Sequence, residues 1–205
     1  MVGGHFVRRN RGPTFGAMVC ITAFVMFGCV AQPPAIQEAV GRAPNLNLPP
    51  ESLGRSLSLS QIVTGTYGDQ TRSMRFEIEI ESNKLVAVAL SHFGATLFIL
   101  RQKGEKVVVE AHADELNGVD PRWMLFDLQV TYWPGARLER ALSKQRMRLE
   151  DEPKSGVRRV YGPRGGLVME VRYLDGFLVP GDISIDHFDR TYRLLIDALE
   201  PGKNS

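Results

Sequence analysis

The sequence predicts an α+β domain dominated by an antiparallel sheet, and three observations carry that expectation. Arg75-Phe76-Glu77-Ile78-Glu79-Ile80-Glu81 alternates polar and apolar at every step, the period-two signature of a strand with one wet face. Turn signals at Gly68-Asp69, Ser82-Asn83, Phe93-Gly94 and Lys103-Gly104 recur about every ten residues, the spacing of a meander. A helical period then separates this group of strands from a second one, with Met124, Leu125, Leu128 and Tyr132 on one stripe.

The elements follow in order. Beside the alternating strand, Leu85–Leu90 and Leu97–Leu100 are apolar on both faces, and Val107–Glu110 is a short β-branched run. Asp120 can cap a helix whose first residue is Pro121, and Pro134-Gly135 ends it. This reads as one amphipathic helix of about three turns. Ala136–Leu142 fits helix or strand. Strands resume at Val157–Tyr161, then Met169/Val171/Tyr173, Ile183/Ile185 and Tyr192/Leu194/Ile196, each set alternating with polar residues. Strands apolar on both faces need a cover, and helix 121–133 and the segment before the sheet are the candidates. A loose cover would leave an apolar cavity.

Ahead of this domain the composition changes. Arg8, Arg9 and Arg11 precede a thirteen-residue apolar run, Phe15 to Phe27, and Gly28-Cys29 follows. The run is shorter than the ~20 residues that span a bilayer and fits the apolar core of an export signal. We therefore expect a signal over 1–28, with an uncleaved anchor as the rival reading. Pro33-Pro34, Pro44 and Pro49-Pro50 then make residues 29–54 a proline-interrupted tether. The folded domain is expected over 55–200 and a short tail over 201–205.

Charge and residue chemistry exclude several functions. The chain of 205 residues carries net charge +2, but Arg8, Arg9 and Arg11 supply that excess, leaving a near-neutral domain. A near-neutral domain argues against nucleic acid as the main partner. The two cysteines, Cys20 and Cys29, both lie in the N-terminal segment, so the domain has no thiol nucleophile. His92, His112 and His187 lack metal-ligand spacing, so no metal or other cofactor is expected. Gly162-Pro163-Arg164-Gly165-Gly166 reads as a hairpin connection. The Asp186-His187-Asp189 cluster is a weak catalytic candidate, with solvated charge as the alternative, and the protein is not expected to be an enzyme. Arg137, Arg140, Arg146, Arg148, Arg158 and Arg159 read as a solvated face, or as a contact for anionic headgroups or an acidic partner.

The order of these features resembles a known family. Gly28-Cys29 resembles the lipobox of bacterial lipoproteins, and a proline-rich tether follows. Then come Thr64-Gly65-Thr66-Tyr67-Gly68, an apolar strand ending in Ser91-His92-Phe93-Gly94, a helix ending in Tyr132-Trp133-Pro134, and Met169-Glu170-Val171-Arg172-Tyr173 before Leu178-Val179-Pro180. Over about residues 55–199 this is similar to outer-membrane lipoprotein receptors of the LolB type. It is closer still to the LolB-like lipoproteins encoded beside aryl-polyene and fatty-acid synthesis genes.

The resemblance implies an incomplete antiparallel barrel of about eleven strands with a helical lid over an apolar cavity. It implies lipidation of Cys29 by palmitate-type chains, retention on the periplasmic face of the outer membrane, and a membrane-inserting loop tip at Phe93, the other reading of Phe93 being a side chain folded back into the core. It implies a lipid or acylated ligand, with delivery of lipid, lipoprotein or polyene-lipid to the outer membrane and a periplasmic carrier or exporter as partner. The alternative is a non-catalytic assembly lipoprotein docking on an envelope complex. The side chains expected to line the cavity are Phe76, Ile78, Ile80, Leu97, Ile99, Trp123, Met124, Phe126, Trp133, Met169, Val171 and Tyr173, which also read as packed core.

Overall fold

Ten strands form one antiparallel sheet in the computed structural model, which describes residues 46, 48–112 and 120–199. A 3₁₀ turn, Pro50–Leu53, leads into β1 (Leu57–Tyr67), β2 (Gln70–Glu81), β3 (Lys84–Leu90), β4 (Thr96–Lys103) and β5 (Lys106–Ala111). Helices α1 (Pro121–Tyr132) and α2 (Gly135–Ser143) follow. Then come β6 (Arg148–Glu152), β7 (Val157–Tyr161), β8 (Leu167–Tyr173), β9 (Ile183–His187) and β10 (Tyr192–Ala198). The sheet order is β5-β4-β3-β2-β1-β10-β9-β8-β7-β6. Two five-strand meanders are thus joined by the β1–β10 pair, and β5 and β6 are left as edges. The architecture is an open antiparallel barrel with helices. It has ten strands among the described residues, where the resemblance implies about eleven.

Strand pairing explains why one face is apolar. Phe76 stands opposite Ala89 and Ala89 opposite Phe98; Ile78, Ala87 and Leu100 form the next row, and Ile80, Leu85 and Gln102 the next. All nine side chains are buried. Alanine between two phenylalanines lets the Phe76 and Phe98 rings meet edge to face at 6.1 Å, a favoured aromatic geometry. The other face carries Arg75, Glu77 and Glu79, as the alternation predicts.

The sheet curls around α1. β4 and β7 stand seven positions apart in the sheet, which is ~34 Å if flat. Yet the β4 side chain Gln102 and the β7 side chain Arg158 both bond to groups on or just after α1, a helix only ~10–12 Å across. Only a curved sheet brings both within reach.

This corrects the expectation that α1 is amphipathic. Ten of the twelve residues of α1 are buried, so the helix sits inside the curl with sheet on several sides. Its ends follow the sequence. The Asp120 carboxylate accepts the Arg122 N–H at 2.9 Å, and the chain turns extended at Trp133, because the residue before a proline is pushed out of helical conformation. Ala136–Leu142, ambiguous in the sequence, is helical. In α2 Leu138 and Leu142 are buried while Arg137, Glu139 and Arg140 are exposed.

Candidate functional site

Phe93 occupies the tip of the β3–β4 loop and is 95% exposed. The loop around it is closed by its own bonds. Ser91 N–H donates to Ala95 O at 2.8 Å, Gly94 N–H to Ser91 O at 2.9 Å, and Ala95 N–H to Ser91 Oγ at 3.1 Å. Gly94 takes φ +80°, a left-handed conformation that a side chain would strain. The ring of His92 meets Phe93 edge-on at 5.5 Å. A satisfied turn therefore holds an apolar ring out in solvent, away from the core.

The inner face is filled differently. Phe76, Ile78, Ile80, Trp123, Phe126, Trp133, Met169, Val171 and Tyr173 are all buried in one contiguous cluster, with Leu97 and Met124 partly buried against it. Ile99 departs from the expected grouping. It pairs with Val88 on the outer face, while Phe98 and Leu100 take the inner positions. The reason is period two: Ile99 stands between Phe98 and Leu100 and so points to the opposite face, while Leu97 sits where the β3–β4 register shifts.

Polar groups inside this cluster tie α1 to its surroundings. His187 Nε2 lies 2.9 Å from Asp127 Oδ1, and the Tyr192 hydroxyl donates to Asp127 Oδ2 at 3.2 Å. His187 also stacks on Tyr192 with centroids 4.1 Å apart. Gln129 Nε2 donates to Leu48 O at 2.9 Å, as does Gln102 Nε2. The Tyr173 hydroxyl donates to Thr131 O at 2.7 Å, and Trp133 Nε1 to Ser52 Oγ at 2.8 Å. Burial, the main cause, pushes the hydroxyls of Tyr132, Tyr173 and Tyr192 well above the ordinary tyrosine value, so they serve as neutral donors.

Arg158 corrects the reading of the basic stretch. Its side chain is 0% exposed. Nη1 donates to Val130 O at 2.6 Å and Trp133 O at 2.9 Å, capping the C-terminal carbonyls of α1, while Nε and Nη2 grip Asp151 at 2.7 and 2.8 Å. Arg159 is paired with Glu152 and Glu170. Arg137, Arg140, Arg146 and Arg148 are exposed, so the stretch does not form a single face.

The weak acid cluster is also resolved by partners. Asp186 pairs with Arg193 at 2.6 Å, and His187 turns inward to Asp127 of α1, not to its chain neighbours. No group of three metal-ligating side chains occurs among the described residues. Gly162–Gly166 forms the β7–β8 hairpin connection, as read from sequence, with Gly162 N–H donating to Gly166 O at 2.8 Å. An open groove of about 430 Å³ lies where Arg137 and Arg140 of α2, and Lys144 just after it, meet Leu46, Leu48 and Glu105 at the margin of the inner cluster. Cys29, the signal, the tether to residue 45 and the tail fall outside the described residues.

Comparison with known proteins gives a family and distant likenesses among solved structures. No curated protein matches the chain. A crystal structure from Vibrio parahaemolyticus, described as an outer membrane lipoprotein-sorting protein domain, is similar at TM-score 0.37 and 8% identity, over 72% of this chain and 86% of that chain. A DUF1329 family protein from Desulfovibrio piger ATCC 29098 is similar at TM-score 0.41 and 8% identity, over 80% of this chain and 96% of that one. The family model that matches residues 58–200 is that of the proteins of unknown function DUF3261, and the chain belongs to that family.

Proposed function

We propose that this protein is a non-catalytic envelope lipoprotein of LolB-like type. In this reading a lipidated Cys29 anchors it on the periplasmic side of the outer membrane, and Phe93 touches the bilayer. The observation that carries the reading is the 95% exposed Phe93 on a self-bonded loop. An apolar ring held in water by satisfied backbone has a free-energy reason to enter an interface, since full burial of such a side chain contributes ~1.5–3 kcal/mol. The cargo is an acyl chain of a lipid, lipoprotein or polyene-lipid, taken between α1 and the sheet when α1 shifts and handed on without a covalent step. The donor is a periplasmic carrier or exporter.

Native mass spectrometry of the full chain, extracted gently from membranes, tests this. A bound species with the mass of an acyl lipid is expected. Uniform absence of such a species, with α1 in place, would leave the second reading, an assembly lipoprotein docking on an envelope complex. The observation favouring that alternative is the inner face itself, where the expected lining residues are packed against one another.

A further inference from the structure

The strand register brings several connections to one end of the sheet. Tyr67 stands opposite Tyr192, and Tyr192 opposite His187. Leu90 pairs with Arg75, midway along β2, and with Thr96 at the start of β4, so β2 runs on from Arg75 to Gln70 at this end, beyond the β3–β4 loop. The β1–β2 hairpin, the β3–β4 loop and the β9–β10 turn therefore share a rim. Among the described residues the exposed aromatic side chains are Tyr67 at 62%, Phe93 at 95% and Phe188 at 50%, one on each of these connections. Of the exposed aliphatic side chains, Leu174 and Val179 sit at the opposite end, between β8 and β9, and Val108, Val109 and Leu195 lie within β5 and β10.

We propose that this rim as a whole, and not Phe93 alone, is the surface that docks on an anionic bilayer, with Tyr67, Phe93 and Phe188 entering the interface together. This deepens the bilayer contact proposed above and rests on it for Phe93. Successive connections lie two strands apart, about 10 Å along the sheet, and polar residues such as Asp69, Asp189 and Thr191 separate them. A protein interface buries a contiguous apolar centre. Separated rings with polar residues between them suit a headgroup layer, where Tyr and other amphipathic aromatics concentrate.

Charge favours an anionic surface. Arg122 and Arg164 are exposed at this end, and Arg190 stacks its guanidinium 3.5 Å above the Trp123 ring just behind Phe188. Against them stand Asp69 and Asp189, while the Asp120 carboxylate is engaged in capping α1. The tether joins the domain at the other end, where Leu48 O meets Gln102. The roughly seventeen residues from Cys29 to Leu46 reach up to ~60 Å when extended. The longest strand, β2 with twelve residues, spans ~40 Å, so an anchored chain can still present the far rim to its own membrane.

The test uses the full lipoprotein reconstituted in phosphatidylethanolamine–phosphatidylglycerol vesicles. A nitroxide is attached in turn to Y67C, F93C, F188C and the opposite-end control L174C, and its accessibility to oxygen and to a polar nickel reagent is measured. Circular dichroism checks each folded state. We expect all three rim labels to be immersed, with at least a several-fold higher oxygen-to-nickel ratio than the label at 174. Immersion of the label at 93 alone overturns the rim and keeps the single-loop contact. Three dry rim labels overturn both, whether or not the label at 174 is immersed.

Discussion

α1 and α2 are consecutive helices separated by Trp133 and Pro134, yet they meet their surroundings in opposite ways. α2 is an ordinary surface helix: Leu138 and Leu142 go in, and its charges stay in water. α1 is enclosed, and its polar groups Asp127, Gln129 and the carbonyls of Val130 and Thr131 each have a named partner on a strand or on the entry segment. The difference teaches that an enclosed helix is positioned by its polar contacts as much as by its apolar ones. Apolar packing tolerates rotation and sliding, whereas a buried unpaired donor or acceptor does not. No side-chain N or O that is fully buried lacks a partner among the described residues.

Four experiments test this contrast. Arg158→Ala removes the guanidinium that caps α1 and leaves Asp151 unpaired; a loss of ~3–5 kcal/mol is expected, read as a shifted urea midpoint. Gln129→Ala strips partners from Leu48 and Gln102 and should lower stability by ~1–3 kcal/mol in the same assay. Midpoints unchanged in both variants would show that α1 is held by apolar contacts alone.

A third test uses pH. The folded state keeps the protons of Tyr132, Tyr173 and Tyr192 above the ordinary value of 10.0, so the unfolded chain releases them first. Stability is therefore intact below pH 10 and declines above it, by about 1.4 kcal/mol per pH unit for each tyrosine. Tyr192→Phe should flatten that decline by one tyrosine's share, as measured by urea titrations between pH 9 and 11. The smallest effect belongs to α2: Arg140→Ala, at an exposed position, should leave the thermal midpoint unchanged within error.

Legibility varied with the length scale of the cause. The turn at Gly162–Gly166, the cap at Asp120 and the stop at Pro134 are local, and each was readable from a few neighbouring residues. The Arg158–Asp151 pair was also within reach, because the β6–β7 hairpin closing Glu152 on Val157 places Asp151 opposite Arg158. What hid it was composition, since an arginine among arginines reads as solvated surface. The face taken by Ile99 was not legible, because a run apolar on both sides carries no phase.

The antiparallel sheet, the helix between its two halves and the turn at Phe93-Gly94 are readable from residue order alone, since period, caps and left-handed glycine act over a few residues, whereas the exposure of Phe93 is not. The position of α1 inside the curl and the facing of His187 on Asp127 arise from the assembled fold. The same fold brings three loops distant in the chain to one rim. Those outcomes depend on curvature and on register summed over ten strands, quantities that local residue patterns do not encode.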